Sequence, residues 1–270
     1  IRRFEKSFAE YVGSKHARAV SGGTQALLLS LATLGVGPGD EVIIPEITYF
    51  ACSDVVMNLG AKPVFVDVLR DSWCIDPIKF RDAITDKTKA VMPVWIYGSV
   101  PNMRDIYNIA KTRGIKIVED SCPAVGCYYG EKHAGTFGEF GCFSFHAAKS
   151  MTTGFGGMVV TDDDDLYERL MFLADHGEDK SNERRFMQTE VGYTFDVANT
   201  RCAMGLAQLE RMDEFKQKKR QIFDWYRKRL PYPMNIEQKH AEANFVMSSA
   251  IVPNRDEAMV KLREKGIDTR

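Results

Sequence analysis

The segment 21–24, Ser-Gly-Gly-Thr, has the composition of an anion-binding turn, and a helical pattern at 25–34 follows it at once. Small residues let backbone N–H groups approach an anion, and the dipole of a following helix favours a phosphate. A tight turn in which Thr24 merely caps the helix explains the same residues. The segment therefore indicates either a phosphate site or only the start of a helix.

Glu119 and Asp120 end an apolar run at 115–118 that is typical of a buried strand. In open α/β sheets ligands bind beyond the carboxyl ends of the strands, where a carboxylate can pair with a cationic ring nitrogen or a metal. A solvated pair at a strand end is an equally good alternative. Because no His or Cys spacing accompanies the pair, the sequence predicts no metal site.

Lys149 lies between a strand-like run at 143–145 and a loop rich in Thr and Gly at 152–157. A lysine held in such a place can form a Schiff base with an aldehyde, although a single loop lysine is usually only a surface charge. The turn, the carboxylate and the lysine together are the groups that pyridoxal 5'-phosphate requires for its phosphate, ring nitrogen and aldehyde. Their joint presence predicts a site for that cofactor.

The elements that must position these groups alternate between β-branched runs and helical patterns. Strands are predicted at 41–45, 63–67, 90–94, 115–120, 141–145 and 157–161, and helices at 51–59, 76–84, 103–113 and 166–174. Strands separated by helices in this way form right-handed βαβ units. We therefore expect an α/β fold, with a mostly parallel sheet between layers of helices.

The pattern changes from about residue 203. A single long amphipathic helix is predicted at 204–229, Pro231 and Pro233 end it, and a short α+β segment follows. The sequence thus predicts a large cofactor-binding domain at 1–205. Residues 206–270 are predicted to hold the long helix and the start of a smaller, incomplete α+β C-terminal domain.

Charge and cysteine content restrict the class of protein. The chain of 270 residues has 36 Lys and Arg against 37 Asp and Glu, which excludes a generally basic nucleic-acid binder. No apolar run approaches the roughly 20 residues that cross a bilayer. The six cysteines are scattered without a C-x-x-C pair, which predicts reduced, buried thiols and a cytoplasmic protein.

A series of motifs along almost the entire chain occurs in the order of a known family. These are Val20-Ser-Gly-Gly-Thr-Gln-Ala-Leu27, Gly39-Asp-Glu-Val-Ile-Ile-Pro45, Val118-Glu-Asp120, Gly135-Thr-Phe-Gly138, Ser144-Phe145, Lys149, Thr152-Thr-Gly154, Gly156-Gly157 and Gly205-Leu-Ala-Gln-Leu209. In these motifs the chain resembles the DegT–DnrJ–StrS type of sugar aminotransferases, which have the aspartate-aminotransferase fold (fold type I). The resemblance implies transfer of an amino group from an amino acid, with glutamate the expected donor, to a nucleotide-linked keto-sugar in amino-sugar biosynthesis.

The resemblance also implies the two catalytic residues. Lys149 would hold the cofactor's aldehyde covalently and then move protons during the reaction. Asp120 would pair with the pyridine nitrogen and keep it protonated. Both residues therefore belong to the implied cofactor site as well as to the catalytic pair.

Further cofactor contacts follow from the same resemblance. The backbone of Gly23 and Thr24 and the hydroxyl of Ser144 would hold the phosphate, and Tyr49 would stack on the ring. Thr194 stands where the family has an Asn that reaches the phosphate of the partner subunit, so the resemblance implies a homodimer with a shared site. No nucleic-acid or membrane partner is expected.

Several residues depart from the family pattern. Pro123 replaces a Gln or His, Phe155 replaces a Glu, and Trp95 replaces a His; these changes concern the substrate pocket and leave the cofactor anchors alone. Two alternatives therefore stay open: a pyridoxamine-phosphate-dependent sugar dehydratase, and a catalytically idle relative that acts as a binding or regulatory protein. Relatives of the dehydratase type replace the lysine with His, so Lys149 argues against the first.

The histidines carry no metal or catalytic constellation of their own. His146 faces the predicted pocket or has a structural role, with the two interpretations equally supported. His16, His133 and His240 are predicted at the surface. His176 is predicted to end the helix at 166–174, together with the glycine that follows it.

Overall fold

The computed structural model describes residues 1–179 and 187–269, and its centre is a seven-stranded sheet. The strands of this sheet and of a second, smaller sheet are, in chain order, β1 (His16–Val20), β2 (Glu41–Pro45), β3 (Lys62–Val66), β4 (Thr88–Val91), β5 (Lys116–Asp120), β6 (Tyr128–Tyr129), β7 (Lys132–His133), β8 (Phe140–Ser144), β9 (Gly157–Thr161) and β10 (Ala241–Glu242). The helices are α1 (Arg2–Val12), α2 (Gly23–Thr33), α3 (Ala51–Asn58), α4 (Pro77–Asp82), α5 (Met103–Arg113), α6 (Asp164–Ala174), α7 (Asn199–Leu209), α8 (Met212–Arg229) and α9 (Arg255–Glu264).

The order of strands in the central sheet is β1-β9-β8-β5-β4-β2-β3. Strands β8, β5, β4, β2 and β3 run parallel to one another, whereas β9 is antiparallel to both of its neighbours. The predicted α/β fold with a mostly parallel sheet is confirmed. Neither β1 nor the reversed direction of β9 was part of that prediction.

Helix α2 is the central helix of the domain and is buried over most of its surface. Its side chains Leu27, Leu29 and Leu31 have almost no exposed area, because the helix packs between the sheet, α3 and α6. A helix that is apolar on most sides is typical of such an enclosed position. This packing directs the N-terminus of α2 toward β8.

The prediction of one helix at 204–229 was wrong. Helix α7 ends at Leu209, and α8 begins at Met212. Each helix packs against a different part of the protein: Gly205 of α7 is in close contact with the ring of Phe4, whereas Phe223 of α8 stacks on Phe245 with ring centroids 3.7 Å apart. A single straight helix would not make both contacts, so the chain turns between α7 and α8.

The segment after α8 returns to the main body of the protein. Strand β10 pairs with β6, which pairs with β7, and the three form a small antiparallel sheet. Helix α9 has no buried residue. The predicted boundary between 205 and 206 falls inside α7 and stays a prediction. Within the described part of the chain, no helix is long and apolar enough to span a membrane.

The surface position predicted for His133 was wrong. Its side chain is 2 % exposed, Nε2 accepts from the N–H of Gly126 at 2.8 Å, and Nδ1 lies 2.6 Å from the carbonyl oxygen of Ala134. The rings of Tyr11 and Tyr128 cover it. Burial lowers the pKa of His133 to about 4, so the imidazole is neutral.

Candidate active site

Asp120 and Ser144 are the last residues of the neighbouring parallel strands β5 and β8. In the register of the two strands, Asp120 lies opposite Cys142, so both strands end at the same edge of the sheet. Asp120 is 5 % exposed and Ser144 is 7 % exposed. The carboxylate and the hydroxyl are therefore brought together at the edge where ligands bind in such sheets.

The first turn of α2 is packed directly against this edge. A Cβ atom at Gly23 would lie 2.7 Å from Sγ of Cys122 and 2.8 Å from Cβ of Ser144, so only glycine fits. Gly22 is the N-cap residue, and no side chain caps the helix. The alternative in which Thr24 is the cap is therefore wrong. The N–H groups of this turn are available to an anion beside Ser144.

Two hydrogen bonds hold the carboxylate of Asp120. Its Oδ1 accepts from the backbone N–H of Cys122 at 3.1 Å, and its Oδ2 accepts from the thiol of Cys52 at 3.1 Å. Cys52 lies in the first turn of α3 and is completely buried. A carboxylate with both oxygens engaged is fixed in orientation, as a partner for a cationic ring nitrogen must be.

Lys149 lies in the loop between β8 and β9 and is half-buried. Its backbone N–H donates to the carbonyl oxygen of His146 at 3.0 Å, and Phe145 and Gly156 close the loop with a bond of 2.8 Å. Burial raises the pKa of the Cys122 thiol, the charge of Asp120 raises it further, and the charge of Lys149 lowers it. Both charges are thus close to the same thiol.

Ser144 is free to bind an anion through its hydroxyl proton. Its Oγ accepts from the N–H of His146 at 3.3 Å, which uses a lone pair and leaves the proton to be donated. His146 itself is exposed next to Lys149, and its ring meets the edge of Phe155 with centroids 5.2 Å apart. The guanidinium of Arg201 lies 6.0 Å from the centroid of the Phe155 ring.

Tyr49 and Thr194 are predicted site residues with exposed side chains, as is Thr24 at the first turn of α2. Tyr49 is 62 % exposed beyond the end of β2, and its ring lies 4.1 Å from that of Phe50. Thr194 lies in a segment beside the anion-binding turn, because the carbonyl oxygen of Phe195 accepts from the N–H of Ser21 at 2.7 Å. Both side chains are accessible to a ligand or to a second subunit.

Glu119 is a structural residue whose role was not predicted from the sequence. It is completely buried, and burial raises the pKa of its carboxyl group, although four N–H donors act against that change. The donors are the indole of Trp95 and the backbones of Gly135, Phe137 and Gly138. Glu119 therefore anchors the loop 135–138, and Trp95 belongs to this anchor. The sequence feature that could have indicated this role is the pair of glycines, Gly135 and Gly138, in the loop.

Asn244 is a second structural residue whose role was not predicted from the sequence. Its side-chain amide, fully buried, donates to the carbonyl oxygens of Pro123 and Val125 at 2.9 Å each and lies 3.3 Å from Oγ of Ser150. One side chain from the C-terminal segment thus connects the turn after Asp120 to the loop of Lys149. A lone Asn far along the chain carried no signal for this role.

Pyridoxal phosphate fits this arrangement. The first turn of α2 and the hydroxyl of Ser144 suit the phosphate, the fixed carboxylate of Asp120 suits the ring nitrogen, and the amine of Lys149 suits the aldehyde. The close contact at Gly23 holds the N–H groups of this turn beside the hydroxyl of Ser144. Among the described residues, no cluster of His, Cys, Asp and Glu can hold a metal ion.

The whole chain matches a family model. The model describes the DegT/DnrJ/EryC1/StrS aminotransferase family and matches residues 1–270. The chain is 42 % identical over 230 residues to the GDP-perosamine synthase of Caulobacter vibrioides, which covers 85 % of this chain and 62 % of that protein. It is 38 % identical over 275 residues to the GDP-perosamine synthase of Escherichia coli O157:H7, covering 100 % of this chain and 75 % of that one.

Solved structures of similar proteins have the same fold. DesV of S. venezuelae superposes with a TM-score of 0.92 at 32 % identity, over 99 % of this chain and 72 % of that one. The protein Spr1654 of Streptococcus pneumoniae, solved in a PLP form, superposes with a TM-score of 0.91 at 28 % identity, over 99 % of this chain and 75 % of that one. The chain thus spans about three fifths to three quarters of the length of the proteins that it resembles.

Proposed function

The chain belongs to the DegT/DnrJ/EryC1/StrS aminotransferase family, and on that premise we propose that it is a pyridoxal-phosphate-dependent transaminase that aminates a nucleotide-linked keto-sugar. Glutamate is the proposed amino donor, and the product belongs to amino-sugar biosynthesis. The names of the GDP-perosamine synthases that it resembles support a nucleotide-linked sugar. The convergence of Gly23, Asp120, Ser144 and Lys149 at one edge of the sheet is the observation that carries the proposal.

Each residue has a distinct role in this proposal. Pyridoxal phosphate, when bound, would supply an electron sink for the substrate's Cα and a carrier for the amino group. Nζ of Lys149 would hold the cofactor's aldehyde and, as a free amine, would hold or move a proton at the substrate's Cα. The carboxylate of Asp120 would keep the ring nitrogen protonated. Gly23, Thr24 and Ser144 bind the phosphate, and these contacts orient the ring.

The remaining parts of the site belong to the same proposal. Tyr49 stacks on the cofactor ring, since its exposed ring lies beyond the strand end that borders the site. The protein is a homodimer in which Thr194 donates to the phosphate of the partner subunit. A cytoplasmic location is supported by the six cysteines, all of which are free and buried thiols.

The proposal is tested by the colour and the covalent chemistry of the purified protein with added pyridoxal phosphate. We expect a Schiff-base band in the visible, lost on borohydride treatment, with the pyridoxyl adduct on the peptide that contains Lys149. Lys149→Ala should abolish both the adduct and turnover, whereas Lys79→Ala, which changes an exposed lysine on α4, should alter neither.

Other outcomes would decide against the transaminase. An adduct on a different lysine would overturn the assignment of Lys149. Colourless protein that ignores the cofactor would favour the idle binding protein. Turnover of a keto-sugar without net amine transfer from glutamate would favour the dehydratase, which Lys149 disfavours because that class has His in its place.

A further inference from the structure

We infer that Cys52 is a positioning residue, whose thiol holds the carboxylate of Asp120 in the orientation that a cationic ring nitrogen requires. This inference rests on the proposed function, because it takes Asp120 as the partner of the cofactor's nitrogen. It assigns to one buried cysteine a part in the chemistry of the site. Cys122 also lies beside Asp120 and holds the other oxygen, Oδ1, through its backbone N–H.

The contacts of Cys52 form a directed chain of hydrogen bonds. Its Sγ lies 3.1 Å from Oδ2 of Asp120 and 3.0 Å from Oγ1 of Thr48. An ionised carboxylate can only accept, and a thiol has a single proton, so the thiol donates to Asp120. The hydroxyl of Thr48 must then donate to the sulfur. This series of hydrogen bonds therefore begins at Thr48, in the loop after β2, and ends on the carboxylate of Asp120.

The opposite oxygen of Asp120 is held by a separate part of the protein. Oδ1 accepts from the N–H of Cys122 in the turn after β5, while Oδ2 is held from α3. The backbone of Asp120 is fixed as well, by bonds to Pro93 at 3.0 Å and from Trp95 at 3.1 Å. With the backbone and Oδ1 held, the bond from Cys52 fixes the second oxygen of the carboxylate.

A thiol has two advantages over stronger donors in this position. Donors to the ionised form lower the basicity of a carboxylate, and a thiol is a weak donor, so it orients Asp120 while leaving most of the charge for the ring nitrogen. Burial raises the pKa of Cys52 well above its usual range, and the charge of Asp120 raises it further. The thiol therefore stays protonated and remains a donor over the working range of pH.

The hydrogen bond itself is tested first, in protein without cofactor. The S–H stretching vibration falls in a window that is free of other protein bands, and hydrogen bonding to an anion shifts it to lower frequency. We expect the infrared difference between wild type and Cys52→Ala to show one such shifted band. In Asp120→Ala the same band should move to higher frequency. A Cys52 band that does not respond to Asp120→Ala would overturn the inference.

The role in positioning is tested by equilibrium binding of pyridoxal phosphate. We expect Cys52→Ala to weaken binding about tenfold, as for the loss of one hydrogen bond to a charged group. Cys52→Ser retains a donor, although a stronger one of slightly shorter reach, and should restore most of the affinity. Cys74→Ala is the matched control, because Cys74 is equally buried but its thiol faces the carbonyl oxygen of Ser72.

The variants separate positioning from simple packing. Cys52→Ala and Cys74→Ala should lose similar free energies of unfolding, but only the first should lose affinity. Equal affinity in wild type and Cys52→Ala would overturn the role of Cys52 while leaving the proposed function intact. Wild-type protein that does not bind the cofactor would overturn the proposed function, and this inference with it.

Discussion

The indole Nε1 of Trp95 donates a hydrogen bond to Oε2 of Glu119 at 3.1 Å, and neither side chain has any exposed surface. Successive side chains of a strand point to opposite faces of the sheet, so Glu119 and Asp120 point in opposite directions from β5. Glu119 binds the loop 135–138 on one face, and Asp120 meets α2 and α3 on the other. Of two adjacent carboxylates, Glu119 thus has a structural role and Asp120 faces the candidate active site.

Breaking this pair should destabilise the fold. Trp95→Phe removes one donor from a buried carboxylate, and we expect a loss of about 1–3 kcal/mol in the free energy of unfolding. Glu119→Gln turns an amide NH₂ group toward N–H donors and should cost about 2–4 kcal/mol. Denaturant unfolding of the apo-protein measures both. Trp225→Phe, at an exposed position on α8, is the control and should change stability by less than about 0.5 kcal/mol.

The double variant tests whether the two residues act together. Because Trp95 and Glu119 are in contact, their effects should not add, and the coupling energy should exceed about 0.5 kcal/mol. Strictly additive losses would mean that the indole and the carboxylate stabilise the protein independently.

His133 should make the protein sensitive to acid. Burial lowers its folded-state pKa from 6.5 to about 4, so between these values the unfolded chain binds a proton that the folded protein does not. Stability therefore falls as the pH is lowered from 6.5 to about 4, by a total of about 3 kcal/mol. Unfolding free energies at pH 7 and pH 4.5 should show this loss in wild type.

Carboxylates also titrate in this window, so the comparison of variants decides. His133→Gln keeps one donor and one acceptor but cannot titrate, and its stability should depend less steeply on pH. His240→Asn, at an exposed position with a left-handed backbone that Asn tolerates, should keep the wild-type dependence. If His133→Gln and wild type have the same pH dependence, His133 is not the group responsible.

Local sequence patterns predicted much of the sheet. Buried runs such as β2 and β9 and the helix α5 have the predicted bounds, because apolar period and capping residues are local properties. Strand β1 was missed because charged Arg18 interrupts its apolar pattern. The direction of β9 could not be predicted, since a fully buried strand has the same pattern whether it runs parallel or antiparallel.

Tertiary contacts explain the features that sequence reasoning missed. The break between α7 and α8 contains no Pro or Gly, and only the two separate packing partners require it. His133 is a polar residue in a short hairpin, and nothing local indicates that Tyr11 of α1 packs over its ring. Asn244 binds the carbonyl group of Pro123, which lies about 120 residues earlier in the chain. Residue type predicted Asp120 and Lys149 as candidate site residues, but it did not predict the residues that hold Asp120 in place.

Gly23→Ala tests the contact between α2 and the strand edge. The new methyl group would overlap Sγ of Cys122 and Cβ of Ser144, so the helix must move away from the phosphate position. We expect the affinity for pyridoxal phosphate to fall at least about tenfold and the apo-protein to lose about 1–3 kcal/mol. Fluorescence titration and denaturant unfolding measure the two effects.

Gly37→Ala is the matched control for this prediction. The nearest atom to its new methyl group would be 3.9 Å away, which is ordinary contact. Affinity and stability should both stay close to wild type. Undiminished cofactor affinity in Gly23→Ala would show that the first turn of α2 does not contact the phosphate.

Subunit hybrids test whether the site is shared. Lys149→Ala removes the lysine, and Thr194→Asp places a negative charge against the phosphate, so each variant alone should be inactive. If Thr194 reaches the partner's cofactor, a dimer with one subunit of each kind has one intact site. Refolding an equal mixture should then restore about a quarter of wild-type activity. Sedimentation of wild type at micromolar concentration must first show a dimer.

A second mixture separates sharing from other effects of mixing. Lys149 and Asp120 lie in the same subunit on every assignment above, so Lys149→Ala mixed with Asp120→Asn should restore nothing. Recovery in the first mixture alone supports Thr194 acting across the interface. Inactivity in both would place Thr194 against the cofactor of its own subunit, where its segment already borders the anion-binding turn through the bond from Ser21 to Phe195. A fully active monomer would contradict the shared site altogether.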